Sequence, residues 1–90
     1  MHPMSEPAVR HAPERSRYEL WLGERLGGVA DYRRGGGVVD LHHTEVDSDL
    51  RGRGLAARLT DFALDDLEAE GVEIHASCWY VAGRMRERAG

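Results

Sequence analysis

The feature that most constrains the fold is a strand, a loop, a helix and a second strand between residues 38 and 78. β-Branched and apolar residues over 38–46 predict the first strand, and apolar residues recur at helical spacing over 55–70. Gly71 predicts the end of the helix, and alternating residues over 72–78 predict the next strand. Such a unit predicts two parallel strands joined by a right-handed crossover.

Two strands are predicted before this unit. Apolar residues alternate with polar ones over 18–22, and Gly23-Glu24 forms a two-residue turn into a second alternating segment over 28–33. Three glycines within residues 34–37 predict the next reversal. We therefore expect an α+β fold with a mixed, mainly antiparallel sheet.

The later part of the strand over 38–46 decides where two polar side chains point. Val39 and Leu41 begin its buried face. If the strand is regular, His43 and Glu45 lie on that same face, whereas a β-bulge would re-aim both side chains.

The two ends of the chain are predicted to differ. Residues 1–16 contain all three prolines and little apolar periodicity, so we expect a flexible N-terminal tail. Residues 17–90 are expected to form one small domain, in which the segment after residue 79 is weakly helical.

Composition limits the classes of partner. The net charge is −4 at pH 7, which argues against a general nucleic-acid binder. A single cysteine, Cys78, forms no internal disulfide, and no apolar run reaches the length of a membrane span or a signal peptide core. We expect a cytoplasmic protein without membrane or nucleic-acid partners, as a monomer or weak dimer.

The loop before the helix has the chemistry of a phosphate site. It reads Arg51-Gly52-Arg53-Gly54-Leu55-Ala56. Glycine allows close backbone approach, a helix N-terminus presents unpaired N–H groups, and arginine matches phosphate geometry. An ordinary basic loop remains the alternative. A P-loop lacks its Lys-Ser/Thr here, and the full dinucleotide-binding glycine motif is absent.

These residues resemble a known signature. Arg51, Gly54 and Ala56 fit the acetyl-CoA motif Gln/Arg-x-x-Gly-x-Gly/Ala of the GNAT acetyltransferase superfamily. The flanking runs His-Thr-Glu-Val-Asp at 43–47 and Cys-Trp-Tyr-Val at 78–81 are similar to those of the minimal GNAT-like N-acetyltransferases. The resemblance covers about residues 17–86.

The resemblance implies acetyl-CoA as co-substrate and no metal cofactor. The backbone of Val46 would hydrogen-bond the pantetheine arm where the third and fourth predicted strands splay apart. The pyrophosphate would lie on the backbone amides of Arg51, Gly52, Arg53, Gly54, Leu55 and Ala56. The two helices that larger relatives place between the first strands are missing, which leaves the acceptor side open. The acceptor amine is unidentified, and the open side permits a protein or peptide amine.

Two residues are candidates for the transfer chemistry. Cys78 lies where the thioester is expected, and His43 would take its proton, so that Cys78 acts as a transient acetyl carrier. The alternative makes Cys78 a small core residue and His43 a hydrogen-bonded strand residue.

Other polar residues are weaker candidates for catalysis or metal binding. Glu45 would act as a base through water or simply face solvent, and Tyr80 would protonate the leaving thiolate or only contribute packing. His42, His43, His75 and Cys78 meet no zinc-ligand spacing.

Three functions follow. The first is an acetyl-CoA-dependent N-acetyltransferase. The second is a protein that binds CoA or acetyl-CoA with little transferase activity. The third is a site for an unrelated anion.

Overall fold

The computed structural model describes residues 6–90 as one sheet with two helices. Its five strands are ordered β1-β2-β3-β4-β5. The elements are β1 (Pro7–Ala12), β2 (Arg17–Leu22), β3 (Arg25–Gly35), β4 (Val38–Val46), α1 (Leu55–Glu70), β5 (Glu73–Ala76) and α2 (Trp79–Ala89), with 3-10 turns at Pro13–Arg15 and Ser48–Leu50.

The sheet has the predicted mixed character. β2, β3 and β4 pair antiparallel, and β4 pairs parallel with β5 through the helical crossover. The α+β prediction is therefore confirmed. Gly71 ends α1 in the left-handed conformation (φ 81°), and its N–H donates to the carbonyls of Leu67 and Glu68 at 3.1 Å.

The expectation of a flexible tail over residues 1–16 is wrong for β1, while residues 1–5 lie outside the described residues. β1 pairs antiparallel with β2 along its whole length. Val9 packs against the core, and the His11 ring stacks on Tyr18 with 4.3 Å between centroids. Pro7 begins the strand and Pro13 follows its end, positions where a missing N–H is tolerated. The folded sheet thus starts ahead of residue 17.

The core lies between one face of the sheet and α1. Leucines of α1 pack on alternating residues of β2, β3 and β4, and the Tyr18 hydroxyl donates to Asp66 of α1 at 2.6 Å. Burial of the phenol, followed by the hydrogen bond to Asp66, raises the pKa of Tyr18. The largest fully buried side chains are Tyr18, Leu20, Val39, Leu41, Leu59, Thr60, Leu64, Leu67 and Val81.

β4 contains the bulge that re-aims its later side chains. Asp31 of β3 pairs with His43, but the next residue, Tyr32, pairs with Leu41, so His42 is the extra residue. Leu41 and Val46 are therefore both buried although they are five positions apart in the chain. The regular-strand alternative for His43 and Glu45 is wrong, because both residues are exposed.

α2 covers the end of the core next to β5. Val81 is fully buried, and Arg84 donates to both carboxylate oxygens of Asp61 in α1 at 2.8 and 2.7 Å. Over residues 6–90, neither helix combines the length and the apolar character that crossing a bilayer requires.

Candidate functional site

A cleft opens where β4 and β5 separate. The strands pair from Val38–Glu73 to Leu41–Ala76, and the N–H of Cys78 then donates to the carbonyl of Leu41 at 3.2 Å. β4 continues to Val46, while the chain after Cys78 turns into α2. The cleft has a volume of about 730 Å³ and is lined by His42, His43, Thr44, Glu45, Val46, Arg51, Ala56, Ser77, Cys78, Trp79 and Tyr80.

The glycine-arginine loop meets this cleft at the N-terminus of α1. Gly52 and Gly54 have φ of 84° and 72°, and a Cβ built on either has open space around it. Within the described residues, no side chain caps this end of α1, and its first turn contains no acidic residue. Within residues 6–90, the partial positive charge of the helix N-terminus is therefore not offset by a capping side chain or by an acidic residue of the first turn. This arrangement suits an anion.

The segment that leads into the loop is fixed from β3. Arg25 donates to Asp47 at 3.0 Å and to Asp49 at 2.7 Å. The hydrogen bond from Arg25 lowers the pKa of Asp49. Leu50 is buried against Gly27, where a Cβ would lie 2.7 Å from its Cδ1 atom. The loop is thus attached at one defined point of the sheet.

Cys78 lies at the wall of the cleft. Its side chain is half-buried, packs against the core cluster, and its Sγ atom lies 3.8 Å from Oγ1 of Thr44. Because β5 ends at Ala76, Cys78 is the residue before α2 and not the last residue of the strand. The structure brings Cys78 to the cleft and also into contact with the core.

His43 lies at the outer side of the same cleft. Its Nε2 atom is 3.1 Å from Oε1 of Glu45. The His43 side chain is 50% exposed and the Glu45 side chain is 65% exposed. Among residues 6–90, the recorded side-chain partner of His43 is Glu45, and that of Cys78 is Thr44. A direct His43–Cys78 hydrogen bond is therefore not part of this arrangement.

The remaining candidates line the cleft at different depths. The side chain of Val46 is buried beside Gly28, where a Cβ would lie 3.1 Å from its Cγ2 atom. Tyr80 lies in the first turn of α2, and burial raises the pKa of its hydroxyl. Trp79 is 83% exposed.

Sequence reasoning missed the contact that fixes the chain just before Cys78. The side chain of Asp40 in β4 accepts hydrogen bonds from the N–H of Ser77 at 2.9 Å and from its hydroxyl at 2.6 Å. These bonds, the hydroxyl bond first, lower the pKa of Asp40. They fix the chain immediately before Cys78. An Asp and a Ser that lie 37 residues apart give no local signal for this contact.

The acidic and histidine side chains of the cleft do not gather around a common point. In the part of the chain that the structure describes, no group of three or more His, Cys, Asp or Glu residues is arranged to hold a metal ion.

Comparisons with known proteins place the sequence among described relatives. The sequence matches the family model described as GCN5-related N-acetyl-transferase over residues 17–89. Protein NATD1 of Xenopus tropicalis is 36% identical over 90 residues, covering 97% of this chain and 82% of the relative. Protein NATD1 of Mus musculus is 43% identical over 82 residues, covering 88% of this chain and 74% of the relative.

The fold is also shared with a solved structure. The solution NMR structure of a GCN5-like protein from Staphylococcus aureus matches with a TM-score of 0.68 at 17% identity, covering 90% of this chain and 79% of the other. The GNAT resemblance that residues 43–56 and 78–81 predicted is confirmed. The chain therefore belongs to the GCN5-related N-acetyltransferase family.

Proposed function

We propose that the protein is an acetyl-CoA-dependent N-acetyltransferase that moves the acetyl group from the thioester to an amine. Family membership supports acetyltransferase activity. One observation supports transfer from acetyl-CoA to an amine in particular. The cleft is continuous from the uncapped N-terminus of α1 at Ala56 to Cys78 and His43.

The CoA part of the substrate is assigned to the loop and the free edge of β4. Arg51 would contact the pyrophosphate, together with the backbone amides of Gly52, Arg53, Gly54, Leu55 and Ala56. The dipole of α1 favours such an anion by roughly 0.3–1 kcal/mol. Val46 would offer its backbone groups to the pantetheine arm, because β4 has lost its pairing with β5 by that point. The open space at Gly52 and Gly54 leaves room for this approach.

The transfer step is assigned to Cys78 and His43. In the carrier route, the Cys78 thiolate attacks the thioester carbonyl, an S-acetyl bond forms and CoA leaves. The acceptor amine then attacks that new thioester, and Cys78 regains its thiol. In the direct route, the amine attacks the substrate thioester itself. Either route needs a base for the amine proton, and His43 lies at the cleft for that role.

The acceptor is assigned to a broad class. β4 and β5 part over an open cleft, and Trp79 at its rim is exposed. An open rim accommodates an amine carried on a peptide or protein. No metal takes part in this scheme. Cys78 is free, which fits a reducing compartment, and we propose a cytoplasmic location on that ground.

A second candidate is a CoA- or acetyl-CoA-binding protein with little transferase activity. It is favoured by one observation: the half-buried side chain of Cys78 packs against the core cluster, as a structural residue would.

The deciding experiment is mass spectrometry of the protein incubated with acetyl-CoA, with and without a panel of amines that includes lysine peptides. An enzyme transfers the acetyl group to one of the amines and releases free CoA. A binding protein returns acetyl-CoA unchanged.

The Cys78→Ala variant separates the two chemical routes. The carrier route predicts an acetyl adduct on Cys78 of the wild-type protein and loss of transfer in the variant. Unchanged turnover in Cys78→Ala would exclude the carrier route and retain the direct one.

A further inference from the structure

The pair formed by His43 and Glu45 has a geometry suited to proton transfer. Nε2 of His43 lies 3.1 Å from Oε1 of Glu45, and both residues line the cleft with Cys78. We propose that Glu45 is a positioning residue, which holds His43 with its proton on Nε2 and leaves Nδ1 as the proton acceptor for the incoming amine. This inference rests on the proposed function, because it names the residue that makes His43 a base.

The bulge is what creates the pair at this position. Because His42 is the extra residue, His43 and Glu45 leave the core face of β4 and become exposed. Residues two positions apart on a strand project from the same face. The two exposed side chains therefore lie side by side on the part of β4 that extends beyond its pairing with β5.

The chemistry of a carboxylate fixes the tautomer. An ionised glutamate accepts hydrogen bonds and donates none, so Nε2 of a neutral His43 must carry the proton that joins the pair. Nδ1 then has a free lone pair. Hydrogen bonds to the second ring nitrogen set the tautomer and orientation of histidines in the same way at other sites.

The residues around the pair do not replace Glu45 as the hydrogen-bond partner of His43. On β3, Asp31 pairs opposite His43, and Val29 pairs opposite Glu45. Arg17 of β2 lies opposite Asp31 in the sheet, on the side away from His43. The Arg17 side chain donates to Glu19 at 2.8 Å. No other hydrogen bond to the His43 ring is found in residues 6–90.

The step balances as an ordinary acyl transfer. The amine nitrogen forms a bond to the thioester carbonyl carbon, the carbon–sulfur bond breaks, and the electron pair leaves on sulfur. The amine proton moves to Nδ1 of His43. Glu45 stabilises the resulting imidazolium through the proton on Nε2, as a carboxylate does beside other catalytic histidines.

The chain contains a matched control. On β5, His75 and Glu73 form the same pair two positions apart, with Nε2 of His75 against Oε2 of Glu73 and similar exposure, 57% and 65%. Neither residue lines the cleft. Glu73→Ala therefore removes an equivalent exposed carboxylate without touching the proposed base.

The test is a long-range ¹⁵N–¹H NMR spectrum of histidine-labelled protein at about pH 8, where a free imidazole is neutral. A His43→Gln variant assigns the ring signals. The proposal predicts that the wild-type His43 proton is on Nε2, that Glu45→Ala gives a mixture of tautomers, and that Glu73→Ala leaves His43 unchanged. A proton on Nδ1 in the wild-type protein, or the same tautomer in Glu45→Ala, would overturn it.

A kinetic arm uses N-acetyl-lysine methylamide and a lysine peptide as probe amines. Glu45→Ala should lower kcat about ten-fold without changing KM for acetyl-CoA. This loss is smaller than the loss expected from removing the base itself. Glu73→Ala should retain the wild-type rate. A wild-type rate in Glu45→Ala contradicts the positioning role. The NMR measurement needs no acetyl-CoA, so failure of the proposed function and failure of this inference are observed separately.

Discussion

The backbone N–H of Cys78 donates to the carbonyl of Leu41 at 3.2 Å, at the point where β4 and β5 stop pairing. This bond ties the cysteine to the start of the cleft, and the side chain of Asp40 holds the preceding residue, Ser77, from the other strand. These contacts fix the point at which the cleft begins, beside the cysteine to which we assign transfer.

The close approach of β3 and β4 should not tolerate a side chain at Gly28. A Cβ there would lie 2.9 Å from the carbonyl oxygen of Glu45 and 3.1 Å from Cγ2 of Val46. We expect Gly28→Ala to lower the free energy of unfolding by about 1–3 kcal/mol, because backbone must shift to admit the methyl group. Urea unfolding measures this loss. Gly35→Ala is the control, since its Cβ meets nothing within 4 Å; equal midpoints for the two variants would refute the argument.

Arg25 should matter more for anion binding than for stability. It neutralises Asp47 and Asp49, two carboxylates just ahead of the loop. We expect Arg25→Gln to weaken acetyl-CoA binding roughly two- to five-fold, with a larger effect at low salt, because the two charges then repel the phosphates. Calorimetry at two salt concentrations measures the effect. Arg33→Gln, on an exposed position of the same strand, should bind as the wild type does.

The bond between Asp61 and Arg84 should make part of the stability pH-dependent. The hydrogen bond from Arg84 lowers the pKa of Asp61 below its unfolded value. The stabilisation is therefore complete above the ordinary aspartate pKa and is lost as pH falls through the lowered one. We expect Asp61→Asn to lose roughly 0.5–1 kcal/mol at neutral pH and much less at an acid pH below the lowered pKa.

Urea midpoints at the two pH values check this prediction. In an Arg84→Ala background, Asp61→Asn should have a smaller effect at neutral pH. A loss that stays the same at both pH values, or in both backgrounds, would show that the ion pair does not cause it.

The two ends of α1 offer a test that separates strain from binding. Gly54 and Gly71 have similar left-handed φ, 72° and 81°, and open space around a built Cβ. Alanine at either position should cost about 1 kcal/mol of stability from backbone strain alone. We expect only Gly54→Ala to lose acetyl-CoA affinity, because it alone alters the backbone at the helix N-terminus. Equal affinities in calorimetry would remove the loop from the proposed site.

Sequence reasoning succeeded where the signal was local. Gly71, the apolar spacing of α1 and the Gly23-Glu24 turn predicted element ends closely. It failed for β1, because the short segment between Pro7 and Pro13 is stabilised by pairing with β2 and by Val9 packing against the core. The prolines indicated a tail, because the local sequence does not show that Pro7 and Pro13 lie at the two boundaries of a paired strand.

The candidate site was predictable in part, because some of its residues lie in local sequence motifs. Most of the residues that line the cleft lie in the motifs at 43–47, 51–56 and 78–81, and the structure brings Cys78, His43 and Arg51 to one cleft. Which side chains contact each other was not predictable. The bulge at His42 is visible only in the cross-strand register, and it pairs His43 with Glu45.

The central claim is that the uncapped N-terminus of α1 and the adjoining cleft bind acetyl-CoA. The most direct measurement is isothermal titration calorimetry of the wild-type protein with acetyl-CoA and with CoA. We expect saturable binding of both compounds at a single site, weakened in Gly54→Ala and retained in Gly71→Ala. An absence of heat at millimolar concentrations of either compound would contradict it.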